Sequence, residues 1–186
     1  RSLLRSMQPD SFEDISAVLA LYRPGPMGAN AHSDYADRKN GRKPVVPIHP
    51  ELAEPLSEIL GDTYGLIVYQ EQVMRISSDL AGFSLAEADN LRKAMGKKKP
   101  EIMEKFSAQF VEGAVKNDCD ANVAQAIWDN ILKFGGYGFN KSHSAAYAIL
   151  SYQTAWMKAH YRAEFLAANL SCEMSDSDKI KSLIDD

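Results

Sequence analysis

The sequence has few cysteines, no excess of basic residues and no long apolar run. The two cysteines, Cys119 and Cys172, are far apart and form no Cys-x-x-Cys pair, so neither a disulfide framework nor a zinc site is predicted, and a reducing compartment is expected. With 21 basic and 25 acidic residues the formal charge is −4, so any contact with phosphate must come from a local cluster of cations. No stretch approaches the ~18 to 20 apolar residues that cross a bilayer, and neither a signal peptide nor a membrane association is expected.

Motifs that would perform catalysis are also scarce. His-Glu-x-x-His and His-x-His do not occur, and residues 118–120 (Asp-Cys-Asp), which come nearest to the carboxylates of a two-metal centre, are predicted to be a turn between helices. We therefore predict no catalytic and no metal-binding residue in this chain. Because the chain begins at Arg1 and ends in an acidic tail at residues 175–186, we expect it to be a piece cut from a longer protein.

Apolar residues recur mainly at helical spacing, which predicts an all-α, multi-helix fold. Ser11 with Asp14 and Ser84 with Glu87 resemble capping boxes that open two of the helices. Gly96 is predicted to end the second of these helices.

Residues 66–69 form a short apolar run that fits either a strand or the buried start of a helix, so one short strand pair at most is expected. We predict one domain over residues 1–186, with sub-lobes at 1–62 and 63–174.

The first segment that could bind a ligand is basic. Residues 92–99 contain five cations, and no acid occurs between Asn90 and Pro100. We therefore predict that these cations have no acidic partner in the sequence and are free to face a polyanion. The alternative is a solvated basic turn between two helices, as charge runs commonly are. The cations are Arg92, Lys93, Lys97, Lys98 and Lys99.

The second segment, residues 135–143, combines three glycines with two aromatic and four polar residues. Glycine lets the backbone approach a ligand closely, and a helix that begins just after the segment would favour an anion at its N-terminus. Tyr137 and Phe139 offer flat faces on which a base can stack. The alternative is a glycine hinge followed by an ordinary helix cap at Asn140 or Ser142. The polar residues are Asn140, Lys141, Ser142 and His143.

Three further features carry weaker signals. Arg23 precedes the rigid Pro-Gly-Pro bend and either contacts a phosphate or the template, or pins the loop to its neighbour. Residues 70–72 (Gln-Glu-Gln) are interpreted as a structural polar cluster, although such side chains can also position other groups. The aromatic residues Tyr147, Tyr152 and Trp156 are predicted to pack in a core.

Several of these segments together resemble the alpha subunit of bacterial DNA polymerase III, a C-family replicative polymerase. The resemblance covers nearly the whole chain in the right order, and several of its motifs extend over eight or more residues. The matching segments are residues 21–27 (LYRPGPM), 63–74 (TYGLIVYQEQVM), 91–99 (LRKAMGKKK), 136–148 (GYGFNKSHSAAYA) and 151–156 (SYQTAW).

The resemblance implies a helical fingers domain that closes on the incoming deoxynucleoside triphosphate. Arg92 and Lys93 would hold triphosphate oxygens, with Lys97 nearby, and Tyr137 would border the nucleotide. Residues 140–143 would form the opposite wall. Many relatives have two arginines where this chain has Arg92-Lys93, so the second position loses the bidentate geometry of arginine.

For the parent protein the resemblance implies a palm whose carboxylates bind two Mg²⁺ ions, together with a thumb and a PHP domain. None of these parts is in this chain, which is expected to bind no cofactor and to be inactive by itself. The implied partners are primer–template DNA, the sliding clamp and other replisome subunits, and the implied location is the cytoplasm, at the bacterial nucleoid.

Two other readings of the residues stay open. The chain could be a non-catalytic helical platform for nucleic acid or a partner protein, since it combines a basic segment with aromatic side chains. It could also be a purely structural helical scaffold.

Overall fold

The computed structural model describes residues 2–97 and 100–184. Arg1, Lys98, Lys99, Asp185 and Asp186 lie outside this range, so the predictions made for these two lysines and two aspartates are not addressed by it. The described residues form α1 (Ser2–Met7), α2 (Phe12–Leu21), α3 (Pro24–Gly28), α4 (Ala31–Lys39), α5 (Ala53–Leu60), α6 (Gln70–Ala81), α7 (Leu85–Lys97), α8 (Pro100–Lys116), α9 (Ala121–Gly135), α10 (Lys141–His160), α11 (Arg162–Cys172) and α12 (Ser177–Ile184), with 3₁₀ turns at Pro50–Leu52 and Gly61–Thr63.

The predicted all-α class is confirmed. Within the described ranges no strand forms, and the strand-like pairing is one isolated parallel bridge between Tyr69 and Phe139. The apolar run 66–69 is therefore an extended segment that leads into α6, which begins at Gln70. No helix in these ranges has both the length and the apolar character that a membrane span requires.

Both predicted capping boxes are present. The Asp14 amide donates to Ser11 Oγ at 3.2 Å, and the Ser11 amide donates to Asp14 Oδ2 at 3.3 Å. At the start of α7 the Ser84 amide donates to Glu87 Oε2 at 2.9 Å, and the Glu87 amide donates to Ser84 Oγ at 3.3 Å. These reciprocal bonds satisfy amides that have no partner within the helix, which is why the two helices begin there.

The predicted helix end at Gly96 is wrong. α7 continues through Gly96 to Lys97, and α10 begins at Lys141 instead of near Ser144. A glycine inside a helix costs only about 1 kcal/mol relative to alanine, which the buried Leu91, Ala94 and Met95 on the same helix can offset. Residues 92–97 of the basic segment therefore all belong to α7.

The contacts divide the chain into two compact units, Arg1–Ala145 and Ala146–Asp186. The predicted sub-lobes 1–62 and 63–174 stay a prediction, and residues from both sides of position 62 share one core. Leu60, for example, lies in the same buried cluster as Ile67 and Val73.

The first unit contains two apolar cores. The larger core is formed by side chains from α5 to α9 around Trp128 and Phe110, which are both fully buried. The smaller core joins α1, α2 and α4 to the extended segment 66–69, with Tyr35 at its centre. Segment 66–69 therefore lies between the cores, with Ile67 in the larger core and Leu66, Val68 and Tyr69 in the smaller.

The second unit consists of the remainder of α10 with α11 and α12. Tyr147, Tyr152 and Trp156 have 53%, 56% and 44% of their surface exposed, so the prediction that they pack in a core is wrong. No described residue of α11 or α12 is buried, and these helices do not supply a core for the aromatic side chains. Most of the predicted acidic tail is also structured, because α12 follows Asp176 and Lys179 binds Glu173 at 2.9 Å.

Glycine substitutions distinguish a crowded helix position from an open one. A Cβ on Gly113 of α8 would lie 2.1 Å from the Ala81 carbonyl oxygen at the end of α6, whereas a Cβ on Gly96 would meet no described atom within 4 Å. We expect Gly113→Ala to lower the free energy of unfolding by about 1–3 kcal/mol, because backbone must move. Gly96→Ala should raise it by about 0.4–1 kcal/mol. Urea unfolding of both variants measures the two changes, and equal stabilities would contradict the packing of α8 against α6.

Candidate functional site

The last turns of α7 carry the predicted cations next to an acid. Arg92 Nε donates to Asp89 Oδ1 at 2.9 Å, and Nη2 of the same guanidinium lies 2.8 Å from this oxygen. Lys93 Nζ lies 2.7 Å from Asp89 Oδ2. The hydrogen bonds from Lys93 and Arg92 lower the pKa of Asp89 below its usual range. The prediction that acidic pairing is absent is wrong, because Asp89 precedes the stretch 90–100 by one residue and helical spacing brings it to both cations.

This cluster nevertheless remains accessible. The side chain of Arg92 is 33% exposed and that of Lys93 is 58% exposed, and Lys97 is exposed at the end of the helix. Ion pairs in such positions are screened by solvent and contribute little to stability. A more highly charged anion can therefore compete with Asp89 for the two cations.

The second predicted segment forms the start of α10. Asn140 is the N-cap, since its Oδ1 accepts from the His143 amide at 2.8 Å and its carbonyl accepts from the Ser144 amide at 3.1 Å. Lys141, Ser142 and His143 occupy the first turn and are exposed. Of the two caps that the sequence allowed, the structure therefore uses Asn140.

A carboxylate from α6 occupies the N-terminus of α10. Glu71 Oε1 and Oε2 accept from the Lys141 amide at 3.1 and 3.0 Å, and Oε1 also accepts from Asn140 Nδ2 at 3.0 Å. The anion at this helix N-terminus is thus the protein's own side chain. Sequence reasoning missed this contact, which joins residues 70 positions apart.

Backbone hydrogen bonds hold the same two segments together. The Phe139 amide donates to the Val68 carbonyl at 3.1 Å, and the Gln70 amide donates to the Phe139 carbonyl at 2.9 Å. Gln72 is buried and its Oε1 accepts from the amides of Val68 and Tyr69 at 2.8 and 2.9 Å. The interpretation of residues 70–72 as a structural polar cluster is confirmed for Gln72.

Arg23 fixes the other side of this loop. Its Nη2 donates to the Tyr137 carbonyl, its Nε donates to the Ala20 carbonyl at 2.8 Å, and its guanidinium lies 4.6 Å from the centre of the Phe139 ring. Burial lowers the pKa of this guanidinium. Arg23 therefore pins the loop, as one of its two predicted roles requires. Its contact with a phosphate or the template stays a prediction.

The Tyr137 ring lies against Gly25. A Cβ on Gly25 would be 2.3 Å from a carbon of that ring, so a side chain larger than hydrogen would displace it. The ring of Tyr137 is half-buried as a result. The glycine in the Pro-Gly-Pro bend is thus required by close packing against the second segment.

Both predicted segments are attached to α6. Residues 82–84 connect α6 to α7, and Val73 and Ile76 of α6 belong to the same buried cluster as Leu91 and Met95 of α7. The start of α10 is bound by Glu71, in the first turn of α6. That the cations of α7 and the N-terminus of α10 face one another stays a prediction.

A cavity of about 190 Å³ adjoins Lys141 on the side of the smaller core. Glu13 and Asp62 line it together with Lys141 and Tyr69, and Lys141 Nζ lies 5.5 Å from the centre of the Tyr69 ring. With two acids and one lysine, this cavity does not favour an anion.

Comparison with known proteins identifies the family. Residues 1–118 match the bacterial DNA polymerase III alpha subunit finger domain. The chain belongs to this family. Over 179 residues, 96% of the chain, it is 60% identical to DNA polymerase III subunit alpha of Mycobacterium leprae. It is 52% identical to that of Vibrio cholerae over 187 residues and 50% identical to that of Escherichia coli K12 over 189 residues, in both cases over 100% of the chain.

The finger-domain chain spans about 15–16% of the length of these curated relatives. Its relatives are subunits of a DNA polymerase by their names, and the all-α fold and the motifs described above lie within the shared region.

Truncation of Arg23 should loosen the finger-domain loop that carries Tyr137 and Phe139. Arg23→Ala removes a charged donor from two carbonyls and is expected to lower the free energy of unfolding by about 1.5–3 kcal/mol. Hydrogen exchange at the Phe139 amide should also become faster. Arg75→Ala is the control, because Arg75 is exposed and pairs with Glu58 and Asp79 at 3.2 and 3.3 Å. Arg75→Ala should lower the free energy of unfolding by less than about 1 kcal/mol. An equal decrease in both variants would contradict the role of Arg23 in holding the loop.

Proposed function

We propose that this finger domain holds the triphosphate of an incoming deoxynucleotide and positions it against the template during DNA synthesis by the whole alpha subunit. The observation that supports the proposal is the attachment of both segments to α6, with α7 packed on it in the larger core and the start of α10 bound by Glu71. In this arrangement, side chains from two distant parts of the sequence can face one polyphosphate.

The cations of α7 could bind a phosphate in place of Asp89. Asp89 carries one negative charge and holds Arg92 and Lys93 in an extended, oriented state at the surface. A triphosphate carries several charges and accepts the same charge-assisted hydrogen bonds. Lys97, one turn beyond Lys93, extends the basic surface along the helix.

The start of α10 contributes side chains instead of free amides. Since Glu71 already binds the Lys141 amide, a phosphate there would face a carboxylate unless Glu71 moved. We therefore assign the second wall to the side chains of Asn140, Lys141, Ser142 and His143, with Tyr137 at its border.

The chemistry itself belongs to other parts of the parent polymerase. The implied reaction is in-line attack of a primer 3′-hydroxyl on the α-phosphate, with Mg²⁺ bound by palm carboxylates outside this chain. The finger domain supplies orientation and charge stabilisation of the triphosphate. Primer–template DNA, the palm, the thumb, the PHP domain, the sliding clamp and other replisome subunits are the proposed partners, in the bacterial cytoplasm at the nucleoid.

Arg92→Ala in the full-length alpha subunit tests the proposal. Loss of a charge-assisted contact of about 2–3 kcal/mol should reduce kcat/KM for nucleotide incorporation by roughly thirty- to a hundredfold. Primer extension at varied nucleotide concentration measures the change. Arg75→Ala is a matched control, since Arg75 is also an exposed, acid-paired arginine and lies on α6.

Two results would contradict the assignment. Unchanged extension kinetics in Arg92→Ala would show that Arg92 does not bind the nucleotide. A loss of affinity for primer–template in the absence of nucleotide, with unchanged nucleotide dependence, would favour the alternative of a nucleic-acid-binding platform.

A further inference from the structure

Glu71 is the side chain of α6 that binds the second wall of the proposed site. It stands in the first turn of α6, is half-buried, and binds the Asn140 side chain and the Lys141 amide through the three contacts of 3.0–3.1 Å described above. Asn140 and Lys141 both belong to the second wall.

The backbone around Glu71 is itself held in place. Its neighbour Gln72 is buried and donates through Nε2 to the Ile59 carbonyl at 3.1 Å and to Thr63 Oγ1 at 2.7 Å. The Gln70 amide on its other side is bound to the Phe139 carbonyl at 2.9 Å. A carboxylate on so fixed a backbone can set the position of whatever it binds.

The opposite wall is tied to the same helix by apolar packing. Leu91 is fully buried in the core that also contains Val73 and Ile76 of α6, so Arg92 is carried by a turn that is held against α6. α6 therefore has α7 fixed on it by packing and the start of α10 fixed on it by Glu71. We infer that Glu71 is a positioning residue, which sets the separation between the α7 cations and the side chains of residues 140–143.

The chemistry of the contact requires a carboxylate. Both oxygens of Glu71 face the Lys141 amide, and the amide belongs to a helix N-terminus, where a negative charge is favoured. Glutamine has one acceptor oxygen and a donor NH₂ group in place of the second. Glu71→Gln would thus set a donor against the Lys141 amide or the Asn140 Nδ2, and the start of α10 would shift away.

This inference rests on the proposed function, and its test uses the full-length alpha subunit. Single-turnover incorporation at varied nucleotide concentration gives an apparent Kd for the nucleotide and a maximal rate. For Glu71→Gln we expect the apparent Kd to rise by about tenfold, the effect of losing one charged helix-cap interaction. An unchanged or lower apparent Kd would overturn the inference, and a lower value would mean that Glu71 only competes with phosphate.

Glu87→Gln is the matched control for a purely structural effect. Glu87 also uses its carboxylate to bind a backbone amide at a helix start, that of Ser84 at 2.9 Å, but it lies at the opposite end of α7. Both variants should lose similar thermal stability, while only Glu71→Gln raises the apparent Kd. A similar rise in both variants would show a general loss of stability and would overturn the positioning role.

Arg92→Ala, measured in the same assay, separates the two proposals. A raised apparent Kd in Arg92→Ala with an unchanged value in Glu71→Gln overturns the positioning role and leaves the proposed function in place. Unchanged values in both variants overturn the proposed function as well.

Discussion

The junction between residues 68–72 and residues 139–141 is the constraint on which this fold depends. It joins segments about 70 residues apart, so its formation must offset the entropy of closing a long loop. It does so with a parallel backbone bridge, a carboxylate cap and a buried glutamine that satisfies two amides next to the bridge. Because Ile67 and Val68 enter different cores, the same junction also ties the two cores of the first unit to the start of α10.

Two acids, Glu71 and Asp89, order polar and basic groups of this acidic protein. The formal charge of −4 does not describe the field at these groups, since the field at a surface follows the nearest charges. Glu71 binds the α10 N-terminus, and Asp89 pairs with both Arg92 and Lys93, which leaves one net positive charge in that cluster. In the proposed site, donors that these acids already orient would lower the cost of binding.

Local signals could be predicted from the sequence, and contacts between distant residues could not. The capping boxes at Ser11 and Ser84 each involve residues within one four-residue segment, so residue type and spacing are sufficient to predict both helix starts. α7 does not end at Gly96, because the free-energy cost of glycine in a helix is small and the packing of neighbouring residues outweighs it. The roles of Glu71, Gly25 and Arg23 depend on which segments meet in three dimensions. Asp89 could have been found by testing i+3 and i+4 pairs across the edge of the basic stretch.

Arg92 and Lys93 illustrate how such a surface treats two cations differently. Arg92 approaches one oxygen of Asp89 through Nε and Nη2, so its Nη1 lies outside this pair, while Lys93 directs its single nitrogen at the other oxygen. A planar guanidinium keeps its orientation when one acceptor replaces another. The lysine ammonium is a point charge on a flexible side chain, so its position changes with the acceptor. In the proposed site the arginine is therefore the group that would orient a phosphate relative to α7, and the lysine would add charge without a fixed direction. The position of α7 on α6 matters most for Arg92, because its planar guanidinium has a fixed orientation. Leu91, immediately before Arg92, is fully buried in the larger core and holds this part of α7 in place.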